Sequence, residues 1–322
     1  MTGNSFYFPW EVSLIEGLQN TLGAFGGTLA KILSTIGGET FSMVVLLFVL
    51  FCWSKERGKR ASLTMLTASL WFPMIKNVVL RIRPYMEHQT ITALQLPERD
   101  AGAMDIVQQG YSFPSGHSAM SASMYVSIAL EVKKRWMWFL AIAICILIGF
   151  SRFLAGVHYP TDVLAGWAVG ILAIGFCMLL QKYVQKEWVR NVIVLSIGLT
   201  GLFWCRSRDY YSALGIMIGY TIAAPIEEKY IGFTDTRKPL SAVLRIAGVM
   251  LIYFILNTLM KMPFSNEFLD SGTFGANMIR TARYAIIMVI SLGIYPRAFP
   301  LYDRIGKKDH NQKSDQQRFS AL

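Results

Sequence analysis

Nine apolar runs dominate this chain, at 38–54, 61–80, 116–132, 136–154, 161–181, 190–205, 210–227, 243–260 and 281–299. Each approaches the ~20 residues that a helix needs to cross a ~30 Å hydrocarbon layer. A backbone in lipid has to satisfy its own N–H and C=O groups, so runs of this length are expected to be helical. The expected fold class is therefore all-α, a polytopic membrane helical bundle of about nine transmembrane helices. Composition agrees with it: 53% of residues are hydrophobic, 16% are charged and the mean hydropathy is +0.40. Ahead of the first run, Pro9 to Gly37 mixes Glu11, Glu16 and Lys31 with Trp10, Leu14 and Ile15, a pattern that predicts an amphipathic helix at the membrane interface. The opening stretch "MTGNSFYFPWEVSLIEGLQN" has no basic region followed by an apolar core, so a cleaved signal peptide is not expected. The chain thus divides into an interfacial segment (1–37), a first group of spans (38–205), a second group (206–303) and a polar tail (304–322).

A formal net charge of +11 raises the question of a nucleic-acid partner. The cations are not a patch, however; they punctuate the apolar runs. Lys55, Arg57, Lys59 and Arg60 follow the first run, and Lys133, Lys134 and Arg135 the third. Lys182, Lys186 and Arg190 follow the fifth, Lys229, Arg237 and Lys238 the seventh, and Arg304, Lys307 and Lys308 the ninth. Every second loop is basic, which by the positive-inside rule assigns these loops to the cytoplasm. The N-terminus and the polar insert from Tyr85 to Tyr111 are then expected outside, and the tail inside and disordered. The expected partners are membrane lipids and no nucleic acid. The cysteines Cys52, Cys145, Cys177 and Cys205 lie in or at the ends of apolar segments with no Cys-x-x-Cys spacing, so neither a disulfide framework nor a zinc site is indicated.

Three polar clusters sit at the ends of runs, where ionisable groups are expensive. In "KNVVLRIRP", Lys76 and Arg83 are seven residues apart, which would place both on one face of a helix that Pro84 ends. In "GYSFPSGHSAM", Ser115 is placed to cap the third run, Gly116 permits close backbone approach, and His117 follows. In "SRFLAGVHYPTD", Pro160 suits a first helical turn, leaving His158 just outside it and Asp162 within it, with Arg152 upstream. Taken singly, each has an ordinary reading: a cation snorkelling to the interface, an interfacial histidine, a helix cap. The loop assignments bring all three to one extracytoplasmic face. Arginine forks and a helix N-terminus clamp phosphate oxygens, and histidines attack or donate protons, so the set suits phosphoryl transfer.

These strings resemble the signature of the type 2 phosphatidic acid phosphatase superfamily, Lys-x6-Arg-Pro, Pro-Ser-Gly-His and Ser-Arg-x5-His-x3-Asp, complete and in order. The resemblance covers roughly Lys76 to Asp162 plus the fifth run. It implies that His158 is the nucleophile forming a phosphohistidine, that Asp162 orients it, and that His117 is the general acid for the leaving alcohol. It also implies that Lys76, Arg83, Arg152, Ser115 and the Gly116 N–H hold the phosphoryl oxygens, and that no metal or other cofactor is required. Asp162 bonded to one ring nitrogen of His158 would leave the other free to attack. The four later runs exceed the minimal pattern, and nine spans with the N-terminus outside is similar to the arrangement of glucose-6-phosphatases and sphingosine-phosphate phosphatases. Among those runs, Gly215 and Gly219 form a small-xxx-small pair suited to close helix packing. "RSRDYY", 206–211, reads as interface anchoring through Tyr210 and Tyr211, with headgroup contact as its alternative. The implied activity is hydrolysis of a lipid phosphate monoester or diphosphate at a bacterial plasma membrane. The readings carried beside it are transfer of the phosphoryl group to a lipid or sugar acceptor, a lipid transporter or scaffold without turnover, and a vanadate-dependent haloperoxidase.

Overall fold

Helix runs through every one of the nine apolar stretches. The computed structural model describes residues 3–96 and 102–305; the expected disordered tail beyond 305 and part of the 85–111 insert lie outside the described residues. After α1 (Pro9–Ile36), α2 (Glu39–Phe48) passes through a π-helical turn at Val49–Trp53, and α3 (Lys55–Val79) follows. The insert carries two single turns, α4 (Pro84–Glu87) and α5 (Ile106–Gln109). The third run is α6 (Gly116–Ser121), a π-helical turn at Ala122–Val126, and α7 (Ser127–Val132); then come α8 (Arg135–Leu154) and α9 (Pro160–Tyr183). The later group is α10 (Glu187–Thr200), α11 (Arg208–Tyr230), α12 (Pro239–Leu259), the short α13 (Asn266–Asp270) and α14 (Phe274–Met288), which continues through a second π-helical segment at Val289–Ile294. Among the described residues one isolated bridge, Asn4 with Arg81, stands outside this helical pattern.

Among the described residues, five stretches are long and apolar enough to cross a membrane: Pro9–Trp53, Arg135–Leu154, Pro160–Tyr183, Pro239–Leu259 and Phe274–Ile305. The other expected spans differ from these in two physical ways. The third and sixth runs are short, α10 being 14 residues. α3 and α11 are long but richer in Ser, Thr, Gly and Tyr, and they are the helices most enclosed by others, with Thr67, Ala68, Leu70, Tyr210, Tyr211 and Met217 fully buried. A helix that faces protein rather than lipid does not need a continuous apolar surface.

The segment expected at the interface is bent. Gly23, at φ 48°, breaks α1, and beyond it Gly26 meets Leu154 while Ser34 donates to Ser151 Oγ at 3.2 Å. That half of the helix therefore runs along α8, and small residues at positions 26, 30 and 34, all buried, allow the close approach. The small pair Gly215 and Gly219 works as expected: a Cβ there would come within 2.3 Å of the Thr281 carbonyl and 2.5 Å of the Ala285 carbonyl, so α11 and α14 touch through their backbones. The two tyrosines at 210 and 211 do not anchor at a surface. Both are fully buried, donating to the Gly198 and Cys205 carbonyls at 2.8 and 3.3 Å, because hydroxyls that find carbonyl partners can be enclosed. All four cysteines are buried and unpaired.

The bundle has two chemically distinct ends. At one, the basic loops are tied by ion pairs: Lys55 to Glu227 at 2.6 Å, Lys59 to Glu187 at 2.9 Å and Arg60 to Glu131 at 2.6 Å. At the other end lie the three polar motifs.

Candidate active site

The lysine and arginine of the first motif converge by a route that helical spacing does not describe. α3 stops at Val79 and Leu80 takes the left-handed conformation at φ 55°. The chain then runs beside the N-terminal segment, with Asn4 N donating to Leu80 O at 2.8 Å and Ile82 N to Asn4 O at 3.1 Å around the bridge of Asn4 with Arg81. Arg83, held extended by the proline after it, is the N-cap of α4. Lys76 remains in the last turn of α3, so the two cations share a site, not a helical face. Arg83 is buried and spends its donors on carbonyls: Nε on Gly110 at 2.8 Å, Nη2 on Gln109 at 2.8 Å and Nη1 on Val157 at 2.9 Å. It thereby staples the insert to the loop that carries His158.

The second motif is wedged between α3 and α9. Ser115 caps α6, its Oγ accepting from Ser118 N at 3.4 Å, and its own N–H donates to the Asp162 carbonyl at 2.9 Å. A Cβ on Gly116 would lie 2.8 Å from the Phe72 ring, and one on Gly166 would lie 2.5 Å from the Ser115 carbonyl. Glycine at both positions lets the start of α6 sit against both neighbours. His117, half-buried in the first turn, lies within the electrostatic reach of Arg152, His158, Lys76 and Arg83.

The third motif supplies the remaining groups. Arg152, buried in the last turn of α8, donates to Ser34 Oγ at 2.9 Å, while its Nε has no partner. His158 is buried in the loop before α9, with Nε2 3.4 Å from Arg83 Nη1. An arginine can only donate, so this contact fits the tautomer with its proton on Nδ1 and a lone pair on Nε2. Burial, with Arg83, Arg152 and Lys76 nearby, holds the His158 pKa well below the ordinary 6.5. Such a ring is uncharged at neutral pH.

Asp162 departs from the simple pairing expected of it. Its Oδ2 stands 3.6 Å from His158 Nδ1, inside ion-pair range and outside hydrogen-bond range. The carboxylate is already engaged by Tyr159 N at 2.7 Å, by Ser112 Oγ, and by Arg81 Nη1 at 2.6 Å. Arg81 is a residue that sequence reasoning passed over. It is 1% exposed, lies 3.9 Å above the Tyr159 ring and also pairs at 2.8 Å with Glu11, itself 0% exposed. The second group of spans contributes as well: Asp209, in the first turn of α11, lies 3.4 Å from Lys76 Nζ. Asn77, next along α3, fastens that segment through Ser207 Oγ at 2.7 Å and Arg206 N at 2.9 Å.

The profile of the PAP2 superfamily matches residues 59–186, and that of the PAP2 superfamily phosphatase transmembrane extension matches 211–304. The chain belongs to the PAP2 superfamily. Its curated PAP2 relatives include the undecaprenyl-diphosphatase of Sulfolobus acidocaldarius, 30% identical over 44% of this chain and 64% of that protein. Phosphatidylglycerophosphatase B of Bacillus subtilis is 36% identical over 24% of this chain and 45% of its own length. The lipid A 1-phosphatase of Rhizobium johnstonii is 32% identical over 39% of this chain and 51% of its own. The chain thus spans from under half to just under two thirds of the length of these PAP2 relatives. No solved structure gives a significant match.

Proposed function

We propose that this membrane PAP2 protein hydrolyses a lipid phosphate monoester or diphosphate through a phosphohistidine, at a site on the extracytoplasmic face of a nine-span bundle. The observation that carries the reading is the convergence of three buried cations, Lys76, Arg83 and Arg152, on two histidines at one end of the helices. Buried cations are costly unless an anion joins them, and spare donors such as Arg152 Nε suit phosphoryl oxygens. The relatives are named for lipid phosphates and diphosphates, which supports that substrate class, and a site at one end of the helix bundle suits a lipid entering sideways.

In this reading His158 Nε2 attacks phosphorus as the ester P–O bond breaks, and His117 gives its proton to the departing oxygen. Water, deprotonated by His117, then attacks phosphorus, the N–P bond breaks and phosphate leaves. Asp162 balances the positive imidazole of the intermediate; catalytic contacts loose in a free enzyme commonly tighten in the complex, and 3.6 Å leaves little to close. Lys76, Arg83, Arg152, Ser115 and the Gly116 N–H hold the phosphoryl oxygens, and no step is assigned to a metal. The deciding experiment is phosphate release by purified protein from phosphatidic acid, phosphatidylglycerol phosphate, a polyprenyl diphosphate and a sphingoid phosphate, with and without EDTA and an alcohol acceptor. Release from at least one, unaffected by EDTA, is expected; activity that EDTA abolishes and Mg²⁺ restores refutes the mechanism. A cysteine placed in the 85–111 insert should react with an impermeant thiol reagent from outside, and labelling only from the cytoplasmic side would reverse the orientation.

The depressed His158 pKa has a signed consequence. Its protonation should set the acid limb of kcat/KM, so that limb, corrected for the substrate's own ionisation, should lie below pH 6.5. Stability moves with it. The unfolded ring binds a proton below about 6.5 and the native ring does not, so this histidine makes the fold less stable as pH drops through that value. A limb at or above 6.5 would mean that His158 is not the titrating nucleophile.

A further inference from the structure

Phosphoryl chemistry leaves Glu11 unused, yet this carboxylate is completely enclosed. A buried carboxylate is tolerated only when its oxygens are fully engaged. Those of Glu11 accept from Phe8 N at 3.0 Å, Thr161 N at 3.0 Å, Thr161 Oγ1 at 2.6 Å and Arg81 Nη2 at 2.8 Å. It therefore caps the first turns of two helices, α1 and α9. The second of these carries Asp162 and follows directly on the loop of His158. Arg81 lies between the two carboxylates, donating to Asp162 with one Nη and to Glu11 with the other, and Phe6 O takes its Nε–H at 2.8 Å. The N-terminal segment is held there by the bridge of Asn4 with Arg81.

Charge balance explains why the second carboxylate matters. His158 is faced by Lys76 from α3, Arg83 from the turn beyond it, His117 from α6, Arg152 from α8 and Asp162 from α9. When Nε2 bonds phosphorus the ring becomes cationic, and Asp162 is the anion beside it. If Arg81 were balanced by Asp162 alone, that negative charge would be largely spent. Glu11 supplies the second negative charge and frees Asp162 to act on the ring.

We infer that Glu11 and Arg81 are positioning residues that hold and electrostatically tune Asp162 for His158. An N-terminal segment outside both family-matched stretches, 59–186 and 211–304, is then a working part of the site. The inference rests on the reading of His158 as nucleophile.

The test uses full-length protein in detergent, with histidine-selective carbon-13 NMR to follow His158 among the four histidines, and kcat/KM on p-nitrophenyl phosphate. Glu11→Gln should lower the His158 midpoint by about one pH unit and kcat/KM by about 10- to 100-fold. Arg81→Gln, which removes a positive charge, should move the midpoint the other way. The double variant Glu11→Gln/Arg81→Gln should return it to within about 0.3 units of wild type. Shifts of the same sign in both single variants, or none, overturn the proposal, since a merely structural brace predicts lost folded yield without opposed titrations. Should Glu11→Gln fail to fold, the charge-balanced double variant compared with Arg81→Gln carries the test: the midpoint must fall when Glu11 is also changed, and an unmoved midpoint overturns it. A wild-type protein that releases no phosphate from any ester refutes the proposed activity while leaving the titrations readable.

Discussion

His158→Ala will have no measurable turnover on lipid or aryl phosphates, while His117→Ala will divide those substrates by leaving group. With His158 as the proposed nucleophile, its loss removes the covalent route for every ester, so a fall of at least about 10⁴-fold is expected whatever departs. His117 has a narrower task in this reading. Protonating the departing oxygen is worth about 10² to 10⁴ in rate, and that benefit shrinks when the leaving group is already stable as an anion. His117→Ala should therefore be severely slowed on phosphatidic acid, keep much more of its rate on p-nitrophenyl phosphate, and allow a phosphoryl group to be trapped on His158. Steady-state kinetics on both substrates, with mass spectrometry of the quenched enzyme, read the result. Equal losses on both substrates, or phosphate trapped on position 117, would show that the roles are exchanged or absent.

How far this site could be read from the chain depended on whether its geometry is local. Ser115 as a helix cap, Pro160 opening α9 and Asp162 in its first turn are short-range matters of capping and proline placement, and all stand where local rules put them. Gly215 and Gly219 were legible for the same reason. Lys76 and Arg83 were matched to a motif, but the helical spacing used to join them fails at Leu80, whose left-handed turn is imposed by pairing of residues 80–82 with Asn4 some 75 positions away. Glu11 and Arg81 were illegible as partners because each looked ordinary in its own setting. Glu11 reads as an acidic first-turn residue, and Arg81 is one of six unspecified positions inside a motif. A weak signal did exist, since Phe-Pro-Trp-Glu is a helix start whose N3 carboxylate can look outward as well as back. Tyr210 and Tyr211 misled because burial of a tyrosine depends on whether a distant carbonyl is in reach, as that of Gly198 is.

The cations of the site should separate by what else they do. Arg152→Gln is expected to lower kcat/KM by about 10²- to 10³-fold, the cost of removing a preorganised donor from a charged transition state. Orthovanadate, a five-coordinate mimic of that state, should lose affinity in proportion, because interactions made only in the transition state are the ones its analogues share. The same change should leave thermal stability untouched or raised: Arg152 is buried with a serine as its neutral partner and an unpartnered Nε, so its charge costs the fold more than it returns. Arg83→Gln should lose comparable activity and also stability. Its guanidinium satisfies the carbonyls of Gly110, Gln109 and Val157, and leaving buried acceptors without donors costs about 1–3 kcal/mol each. Thermal midpoints and vanadate inhibition of the two variants decide it. If Arg152→Gln unfolds as readily as Arg83→Gln, Arg152 is a structural ion. If it keeps vanadate affinity while losing turnover, it acts somewhere other than on the phosphoryl oxygens.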